Sequence, residues 1–279
     1  MTIAKVNGID LYYEAQGDGD PLVFITGYAQ DHTTWTPILP VFSKKYRTIV
    51  LDNRGAGQTV IPDGQFTIED MADDVSALLD ALNIKKASII GISMGGFIAQ
   101  ALAIRHPEKV KGLVLCSTGA KSPPRTSYAL GTFAEELANG RMSRELYYKM
   151  VFPLLFSNNV FANPDMLKMI MYGMLASKSD PANMLRQLQA IRAFDLTARL
   201  GSIKAPTLVV HGSEDVLFPI SYGKELAVGI PGAKIAVLEG GTHMAAMEMA
   251  DKVIPQVMGF LAGVDGNITV APPAPQIKH

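Results

Sequence analysis

Cysteine is nearly missing from this 279-residue chain, and Cys116 stands alone. A lone cysteine excludes an internal disulfide framework and a Cys-rich metal site, so nothing ties the fold to an oxidising compartment. Cys116 itself reads as a small buried apolar residue. Charge of one sign is equally scarce, with 25 Lys and Arg against 26 Asp and Glu and a net charge of -1. That balance removes the basic excess on which phosphate-backbone binding runs, and nucleic acid is not an expected partner. A long apolar run is lacking too. The one uncharged stretch of membrane-spanning length, Ala87 to Ile104, contains Ser88, Ser93, Gln100 and three glycines. It reads as a strand, a tight turn and a helix, and no membrane association is expected. Met1 to Gly8 shows no basic segment followed by an apolar one, so no secretory signal is expected and the expected location is the cytoplasm. Internal repeats are also missing.

What is there is enough chain for a sizeable core, either two domains or one α/β domain with an insertion. Short continuous apolar runs recur at Leu22–Ile25, Thr48–Leu51, Ile89–Ile92, Leu113–Cys116, Thr207–Val210 and Ile235–Leu238. Continuous runs predict strands covered on both faces, as in a parallel sheet. Between them lie helical patterns. The clearest places Ile68, Met71, Ala72, Val75, Leu78, Leu79 and Leu82 on one face, with Thr67 as N-cap and Glu69 and Asp70 in the first turn. Strands alternating with helices predict a mostly parallel, doubly wound α/β sheet. The start differs: Thr2–Val6, Asn7-Gly8 and Ile9–Glu14 read as an antiparallel hairpin, because Asn-Gly suits a turn with positive φ at both central residues.

The alternation fails over residues 121–195, where Met, Leu, Phe and Tyr recur at helical spacing. This segment is expected to be an inserted helical cap between core segments 1–120 and 196–265. Seven of the 14 methionines lie in it, namely Met142, Met150, Met166, Met169, Met171, Met174 and Met184. Core packing is the default expectation for each, with an adaptable apolar pocket as the other use of a thioether. Residues 266–279 carry three prolines and little periodicity and are expected to form a mobile tail.

The chemistry-bearing segment is Gly91-Ile92-Ser93-Met94-Gly95-Gly96, set where an apolar strand ends and an Ala-rich helix begins. G-x-S-x-G in that context forms a strained turn that lifts the serine hydroxyl to the C-terminal edge of the sheet. Ser93 is the candidate nucleophile, and the Met94 backbone N–H, at the new helix N-terminus, a candidate oxyanion donor. Among five histidines only His243 follows a late strand in a glycine-rich loop, Glu239-Gly240-Gly241-Thr242-His243, and precedes a final helix. His106 ends the preceding helix, His211 ends a strand where a structural hydrogen bond is the default, and His279 is terminal. His32 remains a minor candidate. Asp215 is the candidate acid, in the loop after the penultimate strand, with Glu214 beside it as a rival. In this assignment Asp215 orients His243, and His243 takes the proton from Ser93.

The order Ser93, Asp215, His243 and the elbow around the serine resemble the α/β-hydrolase superfamily, in its branch of capped serine esterases and enol-lactonases. The resemblance runs from Ile3 to about Gly263. Asp52-Asn53-Arg54-Gly55-Ala56-Gly57-Gln58-Thr59 is similar to the family's D-x-R-G-x-G-x-S loop, with Thr59 in place of serine. Arg54 reads as a structural ion-pair residue. Gly55-x-Gly57 lacks the third glycine and the helix of a dinucleotide site. Where the family usually has His-Gly after its third strand, this chain has Thr26-Gly27-Tyr28, which leaves open how that loop is braced. By position, the resemblance makes the Tyr28 N–H the second oxyanion donor, and Tyr28 a candidate for lining the acyl pocket.

The resemblance implies a cofactor-free hydrolase that cleaves a carboxylic ester or lactone of a small to medium apolar molecule through an acyl-enzyme. Carbon-carbon bond hydrolases and perhydrolases share such elbows. Cofactor-free dioxygenases and ligand receptors share the fold and are the readings from other classes. A serine at position 93 argues against dehalogenases and epoxide hydrolases, which use aspartate there. An inward-turned Arg125, Arg141, Arg144, Arg186 or Arg192 would select a carboxylate-bearing substrate. No metal is expected, since candidate ligands do not cluster at metal spacing in the sequence. The expected partner is a small-molecule substrate, with a homo-oligomer left open.

Overall fold

In the computed structural model, residues 2–177 and 179–266 are described. The chain opens with the hairpin of β1 (Thr2–Val6) and β2 (Ile9–Gln16), paired antiparallel in the register Val6 to Ile9. Asn7 and Gly8 both take positive φ, 46° and 76°, as the turn requires. The remaining strands are β3 (Pro21–Ile25), β4 (Arg47–Leu51), β5 (Ala87–Ile92), β6 (Val110–Cys116), β7 (Thr207–Gly212) and β8 (Lys234–Leu238). They form an eight-stranded sheet in the order β1-β2-β4-β3-β5-β6-β7-β8. Every pair from β4 onward in that order is parallel, while β2 joins β4 antiparallel and so carries the hairpin onto the edge.

All six residues of β5 and all six of β7 are buried, as continuous apolar runs require of central strands. β8 departs from that expectation. It is the last strand of the sheet, only Leu238 in it is buried, and Val237 is 37% exposed. An edge strand is covered by one neighbour only, so its apolar run does not imply two covered faces.

The helix Ile68–Ala81 begins where expected and carries a full capping box, Thr67 accepting from the Asp70 N–H while the Asp70 carboxylate accepts from the Thr67 N–H. Its apolar face meets the helix Met94–Arg105, which is buried on all sides over its first ten residues. Between β6 and β7 no strand occurs among the described residues. The main helices there are Pro124–Ala138, Arg144–Leu155, Pro164–Ala176 and Pro181–Ala193. The two ends of this insert meet at a single β-bridge between Lys121 and Asp195.

The packing default holds for part of the methionines of the insert. Met184 is fully buried and Met142, Met171 and Met174 are partly buried against the core, while Met150, Met166 and Met169 are exposed. The helix Pro164–Ala176 has no buried residue, and Tyr172 on it is 77% exposed. A periodic apolar pattern reports a helix, but it cannot report whether another element lies against it. No helix among the described residues is long and apolar enough to cross a membrane. The expected tail, apart from Gly266, lies outside the described residues.

Candidate active site

The site grows out of three strand ends at one edge of the sheet. At the end of β5, Ser93 takes φ 55° and ψ -121°, a backbone region that non-glycine residues rarely hold. Small neighbours make the turn possible: a Cβ on Gly91 would run into the Gly95 carbonyl, and one on Gly95 into the Ile25 carbonyl. Three hydrogen bonds hold the strained residue. The Ser93 N–H donates to the Cys116 carbonyl at 3.0 Å, and its carbonyl accepts from the Gly96 N–H at 2.9 Å and the Thr118 hydroxyl at 2.8 Å. Nothing in the sequence around Thr118 signals this role, which arises where β6 ends beside β5. Cys116 is buried, and burial pushes its thiol up to about 12, so it is chemically inert.

At the end of β7 the Asp215 carboxylate is fully enclosed. Its Oδ1 accepts from the Leu217 and Phe218 N–H groups, both at 2.9 Å, and its Oδ2 from Nδ1 of His243 at 2.9 Å. Burial works against the charge of Asp215. The attraction of His243, its hydrogen bond and the Phe218 N–H outweigh that cost and hold the carboxyl below the usual aspartate range. Glu214 is exposed, as its place in the same loop but on the outer side dictates. Thus the fold separates the two rival acids.

His243 follows β8 and stacks on Phe218 at 5.8 Å between ring centroids, with an interplanar angle of 18°. Its loop is pinned to the insert. The Met244 N–H donates to the Leu155 carbonyl at 3.1 Å, and the Glu248 carboxylate accepts from both the Thr242 hydroxyl at 2.8 Å and the Ser157 hydroxyl at 2.5 Å. With Nδ1 committed to Asp215, Nε2 is the free ring nitrogen of His243. Ser93 and His243 line the same small cavity of about 40 Å³, together with Gly27 and Tyr28.

The loop after β3 approaches from the third strand end: a Cβ built on Gly27 would sit 3.3 Å from that of Ser93. The bracing left open by the missing histidine comes from Asn53, whose amide donates to the Thr26 carbonyl at 3.0 Å and to its hydroxyl at 3.1 Å. Beyond Tyr28, Ala29 takes φ 57°. Its N–H donates to Oε1 of Gln187 at 3.0 Å, and its carbonyl accepts from the Ser179 hydroxyl at 3.2 Å. Gln187 is fully buried in the helix Pro181–Ala193, and its amide nitrogen also donates to the Arg54 carbonyl at 2.9 Å. The insert thereby grips the loop that carries Tyr28. A glutamine 158 residues downstream of its partner leaves no local signal.

The other candidates fall outside this group. His32 donates from Nδ1 to Asp52 at 2.8 Å and lies against the Tyr12 ring. His106 pairs with Asp73 at 2.7 Å. His279 lies outside the described residues. Arg54 makes a two-point ion pair with Asp74, at 2.8 and 2.7 Å, and is structural as expected. None of Arg125, Arg141, Arg144, Arg186 and Arg192 lines the cavity beside Ser93 or the larger one next to it, so none of them stands ready to select a carboxylate. Four of the guanidinium groups are spent elsewhere, Arg141 on Glu136 and Arg144, Arg186 and Arg192 on the Ser179, Pro62 and Ser127 carbonyls. The absence of a metal-like cluster is also corrected in space, since ligand atoms of Asp31, His32 and Asp52 lie within 4.8 Å of one another. Those atoms are already engaged. Asp52 accepts from the His32 and Gln58 N–H groups at 2.8 and 2.7 Å, and Asp31 caps Thr33.

His211, enclosed at the end of β7, donates from Nε2 to the Phe218 carbonyl at 2.7 Å. Burial holds this imidazole below its ordinary value, against the smaller opposing pull of that hydrogen bond and of Asp215. A histidine depressed in the folded state lends stability that is complete above its unfolded value, about 6.5, and is lost as pH falls through the folded value. Thermal melts are therefore expected to show a falling Tm as pH drops from about 7 toward 4, less steeply in His211→Gln. A Tm that is flat over this range contradicts the buried, neutral imidazole.

Comparison with known proteins agrees with this architecture. The family model for the α/β hydrolase fold matches residues 20–250. A Mycobacterium tuberculosis protein named as a non-heme bromoperoxidase, BpoC, is 32% identical over 262 residues, covering 92% of this chain and 99% of that one. The crystal structure of an enol-lactonase from Burkholderia xenovorans superposes with a TM-score of 0.82 at 30% identity, over 94% of this chain and 100% of its own. A thermophilic esterase from Thermogutta terrifontis gives 0.85 at 26% identity, over 95% and 99%. With the fold, the serine turn and these matches in agreement, the chain belongs to the α/β-hydrolase family.

Proposed function

We propose that the protein hydrolyses a carboxylic ester or lactone through an acyl-enzyme on Ser93. The observation that carries this reading is one constellation. A serine held in a strained turn and a histidine whose other nitrogen is bound to a buried, ionised aspartate open onto the same cavity. In the proposed cycle Nε2 of His243 takes the Ser93 proton as Oγ attacks the carbonyl carbon. The resulting oxyanion is held by the Tyr28 and Met94 N–H groups. Collapse breaks the bond to the alcohol oxygen, which receives the proton from His243. Water, deprotonated by the same nitrogen, then releases the acid and restores the serine. Asp215 stays ionised throughout and stabilises the imidazolium. The names of two of the relatives, enol-lactonase and esterase, describe acyl transfers of this kind.

The test is labelling with an organophosphonate followed by mass spectrometry of the peptides, beside turnover of p-nitrophenyl esters and simple lactones. A single adduct on Ser93 with turnover supports the reading. The absence of both adduct and turnover overturns it, and oxygen uptake with a heteroaromatic substrate would then favour the dioxygenase reading.

Gln187 supplies a further expectation. In Gln187→Leu the Ala29 N–H loses its acceptor, and a displaced Tyr28 N–H lowers kcat by about ten- to a hundredfold with little change in KM. Gln187→Glu is no rescue, because its carboxylate would face the Arg54 carbonyl that the amide nitrogen now serves, in a fully buried place. A Gln187→Leu variant that is folded and keeps the wild-type kcat would show that the glutamine merely packs.

A further inference from the structure

The site is divided into two chambers of very different size, and the division falls between the two halves of an ester. The inner chamber, about 40 Å³, holds the reacting groups and is walled by Leu130, Tyr147, Val151 and Leu155. All four walls are buried side chains packed against the core, so they yield little to a larger guest. At roughly 10–15 Å³ of such volume per water-sized occupant, the chamber takes a group of about three or four heavy atoms. The outer chamber measures about 670 Å³. The two share Ala29, Gln30, Tyr148, Met174 and Met244, which form the neck between them.

The chemistry decides which half of the substrate goes where. Glu239 to Thr242 and Met244, the residues on either side of His243, line the outer chamber. His243 must protonate the departing alcohol, so in the proposed cycle the alcohol lies on the histidine side, toward the larger space. The acyl carbon remains bonded to Ser93, in the smaller one. The outer chamber is apolar over Phe156, Val160, Met166, Ile170 and Met174, and the flexible thioethers there can adapt to varied shapes. Its charged lining residues are Asp31, Glu239 and Glu248, with no Lys, Arg or His among the described residues that face it. A carboxylate on the alcohol would meet acids and find no cation.

From this we infer that the preferred substrates are esters of a short acid, of acetyl or propionyl size, with a bulky, apolar, uncharged alcohol. The inference rests on the acyl-enzyme reading above and goes beyond it in assigning the two sides. Two ester series separate the sides on the wild-type protein: p-nitrophenyl esters from acetate to decanoate, and acetates of alcohols from methyl to octyl. The first is expected to lose kcat/KM about tenfold or more once the acyl chain outgrows the inner chamber, whereas the second rises with alcohol length. Val151→Ala, which widens the inner chamber, shifts the acyl optimum to longer chains. Met174→Trp, on a helix without buried residues, narrows the neck and lowers the ratio of octyl to methyl acetate turnover about tenfold. A wild type that prefers octanoyl over acetyl esters, while still forming the Ser93 adduct, overturns the assignment of sides and leaves the acyl-enzyme standing. A wild type that turns over 6-acetoxyhexanoate, which carries a carboxylate on the alcohol half, as well as hexyl acetate overturns the charge preference. Absence of both adduct and turnover removes the acyl-enzyme and this inference with it.

Discussion

Ser93→Ala is expected to abolish ester turnover, by about six orders of magnitude in kcat, because the members of a nucleophile unit act together and the loss of one is close to the loss of all. Residual hydrolysis would then come from binding and the oxyanion donors alone. The same position makes a second, independent readout available. Ser93 sits at φ 55°, and a non-glycine residue in so sparsely populated a region stores about 1–3 kcal/mol of strain. Ser93→Gly relieves that strain at the cost of a more flexible unfolded chain, about 0.5–1 kcal/mol. Alanine retains a Cβ and relieves none. The expected result is a glycine variant as inactive as the alanine one but more stable than it, by about 1 kcal/mol, or roughly 2–4 °C in Tm for a chain of this size. Thermal melts of both variants check this, and a glycine variant that melts below the alanine one contradicts stored strain at the turn.

Asp215→Asn is expected to lower kcat by about 10⁴-fold with the fold intact. Asparagine can still accept the Leu217 and Phe218 N–H groups, so the loop is retained. What changes is the face toward His243. If the amide presents its NH₂ to Nδ1, that nitrogen must accept, the proton moves to Nε2, and the nitrogen facing Ser93 can no longer take its proton. Glu214→Gln, by contrast, alters an exposed side chain and is expected to leave kcat/KM within about twofold of wild type. Steady-state kinetics on the two variants therefore identifies the acid, and comparable losses in both would refute the assignment to Asp215. Since the surroundings hold Asp215 below the usual aspartate range, an acid limb of the rate profile near neutral pH is not set by this carboxyl.

Much of this site was open to inspection in the linear chain because its parts are local. A strand ending in Gly-x-Ser-x-Gly is a turn recognisable from a few neighbouring residues, and the collision that forbids a Cβ at Gly91 is with the Gly95 carbonyl inside that turn, whereas the one at Gly95 is with the Ile25 carbonyl and appears only in the fold. The strand runs, the Asn7-Gly8 turn and the Thr67 cap are local in the same sense. The residues that escaped notice are those whose partners lie far along the chain. Gln187 acts on Ala29, Glu248 on Ser157, and Thr118 on Ser93, each across a gap that only folding closes. Periodicity likewise misjudged three methionines of the insert, Met150, Met166 and Met169, and the last strand, since a pattern shows which face is apolar but not what covers it.

The sequence by itself determined the doubly wound sheet, the hairpin at its edge, the helical character of residues 121–195 and the three loops in which a nucleophile, an acid and a base would lie. Those follow from side-chain period, turn chemistry and element order, all of which are written in neighbouring residues. Only the tertiary structure paired Asp215 rather than Glu214 with His243, kept the arginines of the insert out of the lining of the cavities and set a small chamber at the serine next to a large one. Each of those depends on which surfaces end up within a few ångströms of one another, and that proximity is set by the packing of the insert against the sheet edge.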